Sequence, residues 1–542
     1  MKKVMHPVLS CAEAMEWEKS LLAGEEKKEW RAMSSAGRKI GRAVLEDWRE
    51  TRGQGTVANI LVFAGKGHNA GDALIAAEEI LRRHDSLRVA VVFVTGEIPN
   101  RPLVRRAWRN LQHAARERVE ASALPADDSA GDWLEAKFGG IEWDVCIDGI
   151  LGMQFRPPLR APLDGVIGWV NRHPGIVLRA AVDLPSGIGD ESAEEPFRAD
   201  FTYMPGTVKR PVFLPDSAQW TGRLRYLDIG FFEQSGDLVA TASGSGESGA
   251  DIERKFVCPE ILQPLFRLRD PLKHKKNYGH LFLLGGSRAM PGAVLMSVMA
   301  ALRSGVGLVT GFVPESLVSA FAARVPEAMW VPLPETPEGG LSLNGLDHVL
   351  DHRFRPDALV LGPGMGTASE THSLAGGILA GIACPVLLDA DGLTVDLVDA
   401  AAARQVEAPV LLTPHPGEFA RVSGGTFAEN GEEGLLEFCR EKGVVAALKG
   451  PPFTRVTDGK VLLYCTTGGP VLARGGSGDV LSGLLGGLLA QGAGDPVEVA
   501  ATGVFWHGAA ADALARARGS TAVTVTGLLE FLDPRPGVEN RR

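Results

Sequence analysis

The chain has 542 residues, of which 45% are hydrophobic and 23% charged, an ordinary globular composition able to bury a sizeable core. Its formal charge of −10 argues against bulk binding to nucleic acid or to an anionic membrane, and leaves room for a local basic pocket. Six scattered cysteines (Cys11, Cys146, Cys258, Cys384, Cys439, Cys465) form no C-x-x-C, which fits reduced thiols in a cytoplasm and gives no metal or disulfide signature. The first twenty residues lack the apolar core of a secretory signal, and no apolar run is long enough to span a bilayer. Length as a prior suggests about three or four domains, or two large α/β ones.

Taken in order, residues 10–50 read as helical, with apolar residues at helical spacing over 33–45. Residues 59–64, NILVFA, are a buried strand. They run into the Gly-rich turn GKGHNAGD at 65–72 and then a helix over 73–83, the first half of a βαβ unit. Residues 88–95, 143–147 and 175–182 are further strands, with a polar helix around 104–118; the last two strands end at Asp148 and Asp183. Open parallel sheets place ligands at such strand ends, although acids that merely cap turns are common there. Residues 201–214 and 223–229 read as late edge strands. Residues 233–252, rich in Ser, Gly, Ala and acids without a period, read as a flexible linker.

A second α/β rhythm begins near Phe256. Strands at 279–284, 307–313, 357–361, 385–388, 409–412 and 444–448 alternate with turns and helices, and long apolar helices over 480–490 and 496–517 close the segment. The alternation predicts a doubly wound parallel sheet with its cleft at the strand carboxyl ends. The stretch ARGGSGDVLSGLLGG at 473–487 is the centre of this half. Gly475, Gly476, Ser477 and Gly478 open a helix and place Asp479 in its first turn. Unpaired amides at a helix start can cradle a phosphate, and a carboxylate there can take a proton from a substrate hydroxyl. A Gly-rich turn with an ordinary N-terminal acid has the same sequence.

Seven ordered motifs then define a resemblance: KHKKNYG (273–279), GGSRAMPGA (285–293), GPGMG (362–366), LLDADGL (387–393), LTPHPGEFARV (412–422), LKG (448–450) and GGSGDVLSG (475–483). Together they resemble the ribokinase-like NAD(P)H-hydrate dehydratases. GKGHNAGDA (65–73), CIDGILG (146–152), VDLPSGI (182–188) and ADFTYMPGTVKR (199–210) resemble the NAD(P)H-hydrate epimerases. The whole chain is thus similar to the bifunctional bacterial repair enzymes for hydrated NADH and NADPH, with only the linker outside the match. The implied architecture is α/β in two domains, a Rossmann-like parallel-sheet epimerase domain over 1–232 and a ribokinase-like dehydratase domain over 256–535, joined by 233–255.

The resemblance implies two reactions. Asp479 deprotonates the C6 hydroxyl of the hydrate for attack on the terminal phosphate of ADP, with Mg²⁺ as helper, and phosphate then leaves. Lys449, Gly450, Pro451, Pro452 and Phe453 carry over as a nucleotide loop together with Gly475, Gly476, Ser477 and Gly478. Ala293, Gly364 and His415 carry over as hydrate-binding positions. On its own His415 reads as a structural histidine in a Pro-braced turn, and the lysines of 273–276 read equally as a solvated run. In the first domain His68, Asn69, Ala70, Gly71 and Asp72 line the substrate. Gly152, Met153, Gln154, Phe155 and Arg156 form its phosphate-facing loop. Asp183 binds substrate and moves the proton, and Asn69, Asp148 and Ser186 hold K⁺. This reaction interconverts the R and S hydrates for an S-specific dehydratase. The sequence departs from the family at His68, Ala70 and Ala73, which replace an Asn and two Gly, and at Lys276 and Gly469. Close backbone approach in a turn favours glycine at two of those places. A small-molecule kinase with a non-catalytic nucleotide-binding first domain is the alternative. Small-molecule partners, self-association, no nucleic acid or membrane partner, and a cytoplasmic location complete the expectation.

Overall fold

The computed structural model describes residues 4–53, 55–98, 100–125, 129–233, 252–492 and 494–535, with the backbone alone at 426–430. The chain divides into two compact units, Met1–Gly249 with Arg516–Gly519 and Ala250–Ala515 with Ser520–Arg542. Most of the predicted linker, 234–251, lies outside the described residues.

In the first unit a short strand β1 (Met5–Leu9) pairs in parallel with β8 (Val208–Lys209). The main sheet comprises β2 (Asn59–Ala64), β3 (Arg88–Phe93), β4 (Val119–Ala123), β5 (Trp143–Gly149), β6 (Ile176–Val182), β7 (Phe201–Pro205) and β9 (Arg223–Leu227). The spatial order is β4-β3-β2-β5-β6-β7-β9, and every pairing is parallel. The near-continuous apolar runs of β2 and β3 are buried on both faces, as a parallel sheet covered by helices requires. Strand order reverses between β2 and β5, so a crevice opens beyond their carboxyl ends. Two readings change. β7 is internal, between β6 and β9, and ends at Pro205, and the rest of the predicted run breaks into β8 and a 3₁₀ turn over Arg210–Phe213. The helix after β2 starts at His68, so His68 to Asp72 are its first turn rather than loop.

The second unit has strands β10 (Glu253–Val257), β11 (His280–Leu284), β12 (Leu308–Pro314), β13 (Met329–Leu333), β14 (Ala358–Leu361), β15 (Val386–Leu388), β16 (Val410–Leu412), β17 (Val445–Leu448), β18 (Thr454–Thr457) and β19 (Val461–Cys465). They lie in the order β13-β12-β11-β14-β15-β16-β17-β18-β19-β10. The run from β13 to β17 is parallel, and β18 and β19 form an antiparallel hairpin. Here the strand order reverses between β11 and β14. The helix Ser477–Ala490, buried from Val480 to Ala490, lies against Pro291–Arg303 and β14. Side chains at Gly483 and Gly487 would collide with Ser297 and Ser304 of that neighbour, so glycine sets how closely the two helices approach. All six cysteines are buried, free thiols. Among the described residues no helix is long and apolar enough to cross a membrane.

Candidate active sites

In the second unit Asp389, after β15, and Lys449, after β17, meet the first turns of Ser477–Ala490. Beyond β11 and β14, Ala293 and Gly364 touch. A β-carbon on Gly364 would lie 2.8 Å from that of Ala293, and Gly364 sits at φ +64°. Ser297, one turn after Ala293, donates to the Ala293 carbonyl at 3.2 Å or the Asp479 carbonyl at 2.9 Å. One buried hydroxyl therefore ties the two backbones together. Gly476 is the N-cap at φ +94°, and Gly478 is already helical, so the predicted loop ends earlier than Gly478. The Ser477 hydroxyl is turned to the Leu472 carbonyl at 2.7 Å.

Asp479 stands half-buried in the first turn. Burial, reinforced by the neighbouring Asp389 carboxylate, pushes its pKa up to about 6. Lys449, directly after β17, pulls the other way. Its Nζ is 3.0 Å from Asp389 Oδ1 and would sit 3.2 Å from a β-carbon at Gly478. Burial works against the ammonium, but Asp389 and Glu418 outweigh it and hold the Lys449 pKa above its ordinary value. Asp389, 1% exposed at the end of β15, also accepts from Thr413 Oγ1 at 2.7 Å and from Ser482. The result is a proton-accepting carboxylate beside a fixed cation, with helix-start amides alongside, which suits abstraction of a hydroxyl proton next to a phosphate. Asp389 and Ser482 were absent from the sequence candidates. The signals were present, since Asp389 opens DADG and Ser482 lies one helical turn beyond Asp479.

His415 is the N-cap of Pro416–Val422. Its Nδ1 accepts from the amides of Gly417 and Glu418 at 3.0 and 3.2 Å, while the His415 amide donates to Glu418 Oε2 at 2.8 Å. The structural role is thus filled, yet more than half of the side chain remains exposed, with Nε2 3.5 Å from Glu418. Gly450 approaches Pro416 of the same turn, Pro451 is exposed, and Pro452 is half-buried. Phe453 is buried against Tyr464 at the root of the hairpin. His507 is another residue missed. It is 5% exposed, interacts with the Ser477 backbone, and has its pKa pushed down to about 4 by burial and by Lys449.

In the first unit Asn69, Asp148 and Ser186 do meet. Ser186 donates through Oγ and its amide to Asp148 at 2.6 and 2.7 Å, and its Oγ accepts from Leu151 N at 2.9 Å. Asn69 Nδ2 lies 2.9 Å from the Leu151 carbonyl and 3.0 Å from that of Val182. Asp148 is fully buried and has no ion-pair partner among the described residues, and burial raises its pKa to about 6 despite these bonds. A buried carboxylate without a counter-ion, among neutral oxygens, fits a hard monovalent cation. Ala70 and Ala73 take helical backbone and are wholly buried, so the substitutions cause no turn strain. Close approach is provided from the other side by Gly149, where a β-carbon would lie 2.6 Å from that of Ala73.

His68, Asn69, Asp72, Met153 and Asp183 line one pocket. Burial and Arg101 lower the His68 pKa, and burial with Asp183 and Glu18 raises that of Asp72 well above its ordinary value. In the loop after Gly152, Gln154 and Arg156 are exposed, whereas Phe155 turns into the interior. Asp183 holds the strained left-handed φ of +69° and pairs with buried Lys209, a partner the sequence reading did not single out.

Parallel sheets with charged, Gly-lined strand ends in both units define an enzyme of the α/β class. Residues 281–533 match the family model described as NAD(P)H-hydrate dehydratase, and residues 30–210 match that of the YjeF-related protein N-terminus. The bifunctional NAD(P)H-hydrate repair enzyme Nnr of Moorella thermoacetica is 33% identical over 510 residues, covering 92% of this chain and 91% of the relative. That of Gloeobacter violaceus is 32% identical over 510 residues, covering 92% and 93%. A Bacillus subtilis ADP/ATP-dependent NAD(P)H-hydrate dehydratase, crystallised with ATP and Mg²⁺, is 28% identical with a TM-score of 0.44 and covers 51% of this chain and 95% of that one. The chain belongs to the family of bifunctional NAD(P)H-hydrate repair enzymes.

Proposed function

We propose that the first unit interconverts the R and S forms of NADH and NADPH hydrated at C6, and that the second returns the S form to NAD(P)H with ADP as phosphoryl donor. The proposed domains are 1–232 and 256–535. The observation that carries the dehydratase assignment is Asp479, a carboxylate tuned to about 6 and set beside Lys449 in the first turn of a Gly-led helix.

Asp479 accepts the C6 hydroxyl proton as that oxygen attacks the terminal phosphate of ADP, whose bond to the α-phosphate breaks to release AMP. Lys449 and the amides at 476–478 stabilise the charge that develops on the transferring group. Gly364, Ala293 and the partly exposed His415 ring orient the hydrate. Mg²⁺ would supply further charge neutralisation at the phosphates when bound. Once phosphorylated, the oxygen is a competent leaving group: the ring-nitrogen lone pair expels phosphate, and the resulting C6=N1 iminium loses a C5 proton to form the C5=C6 bond of NAD(P)H. In the first unit Asp183 transfers the proton, residues 68–72 and 152–156 hold the dinucleotide, and Asn69, Asp148 and Ser186 would hold K⁺ as a fixed charge under the loop.

A freshly purified R/S mixture of NADH hydrate, supplied with ADP, Mg²⁺ and K⁺, tests the assignment through the absorbance of the restored dihydronicotinamide. Complete recovery faster than spontaneous epimerisation is expected. Recovery of the S fraction alone would remove the epimerase assignment. A stable phosphorylated product without NADH would favour the kinase alternative.

A further inference from the structure

The pocket of the first unit contains an acid that precedes the span of the YjeF-related family model. Glu18, on the helix Cys11–Leu22, lines the same pocket as Asp72 and Asp183, whereas the family model begins at residue 30. Lys209 lies beneath it, only 1% exposed, ion-paired with Asp183 and 3.8 Å from Glu18 Oε1. Thr207 donates to the same Glu18 oxygen at 2.8 Å and orients it. Two carboxyl groups from different elements thus share one buried ammonium, and both reach the pocket.

Inverting a hydroxyl at C6 by loss and return of water has a strict proton balance. The ring-nitrogen lone pair breaks the C6–O bond as an acid protonates the departing oxygen, leaving water and a C6=N1 iminium. Water then adds to the opposite face, forms the new C6–O bond and gives its extra proton to a base. Each turnover carries one proton from the acid to the base, and that proton must return before the next.

We propose that Glu18 and Asp183 are the two carboxyl groups of this exchange, and that Lys209 is the bridge that passes the proton back between them. The proposal rests on the epimerase reading of this unit. Burial holds the Glu18 pKa above its ordinary value against the pull of Lys209, so Glu18 can carry the proton. Burial disfavours the Lys209 ammonium, but Asp183 and Glu18 keep its pKa raised and the bridge charged. Lys209 is ion-paired with both carboxylates and does not line the pocket, so it acts as a positioning and relay group.

The test is conversion of R to S NADH hydrate by the whole chain without ADP, resolved by chromatography and corrected for the spontaneous rate. Glu18→Gln is expected to lower kcat at least about 100-fold with KM nearly unchanged, because a neutral amide keeps the shape and loses the proton. Glu18→Asp should regain at least about tenfold over Glu18→Gln, and both variants should dehydrate the S form normally, which shows an intact fold. A Glu18→Gln enzyme within about threefold of wild type would overturn the proposal, as would a Glu18→Asp enzyme no faster than Glu18→Gln. A wild-type chain that leaves the R form at its spontaneous rate would remove the epimerase reading itself, a separate failure.

Discussion

A general base works best when its pKa lies near the pH at which it operates. Asp479, raised to about 6, is ionised near neutrality and still basic enough to take a hydroxyl proton. Only the ionised form accepts a proton, so dehydration by the wild-type chain should fall about tenfold per pH unit below about 6. Lys449 lowers that pKa, so removing its charge must raise it. A pH–rate profile of Lys449→Gln should therefore show the acid limb displaced to higher pH. An unmoved limb would show that Lys449 does not face Asp479 during turnover. Asp479 and Lys449 were legible in the sequence because each stands in a short motif at a strand or helix end. Asp389 was quoted in its motif without a role. Its importance arises from partners 24, 60 and 93 residues away in the chain, a proximity that no local pattern encodes.

Helix placement depends on close contact between Ser477–Ala490 and Pro291–Arg303. A β-carbon on Gly483 would meet the Ser297 backbone, and Ser297 holds the Asp479 carbonyl. Gly483→Ala should lower stability by about 1–3 kcal/mol through overpacking, read as a lower urea midpoint. Its kcat should fall further than the KM for ADP rises, since the change pushes the first turn out of place. Most of the parallel strands were readable as apolar runs before glycine or acid. The hairpin β18–β19 was not, although Asp458-Gly459 with Gly459 at φ +86° carries the usual turn signal. Edge strands β4 and β13 were also missed, because half-exposed residues dilute their hydrophobic pattern. The early start of the helix at His68 was hidden because glycines on either side of HNA read as turn. The alanines there are good helix formers and settle the matter.

On the scale of the whole chain, two sites act on one diffusible compound. Asp183→Asn should leave recovery of the S fraction intact and abolish enzymatic use of the R form. Asp479→Asn should epimerise and restore no NADH. Mixing the two variants should recover most of the wild-type yield from an R/S mixture, because the hydrate can leave one polypeptide and enter another. Failure of the mixture, with each variant behaving as expected alone, would mean that transfer is confined to a single molecule.

The buried cysteines carry a different consequence. A thiol reacts as its thiolate, and burial pushes Cys11 and Cys384 up to about 12 and Cys146, Cys439 and Cys465 upward as well. With every sulfur enclosed, a soluble thiol reagent has to wait for the polypeptide to open. Its labelling rate is then a clock for local unfolding, with Cys11 and Cys146 timing one unit and Cys384, Cys439 and Cys465 the other. Mass-resolved labelling would read the stability of each half within one intact protein, with no engineered probe.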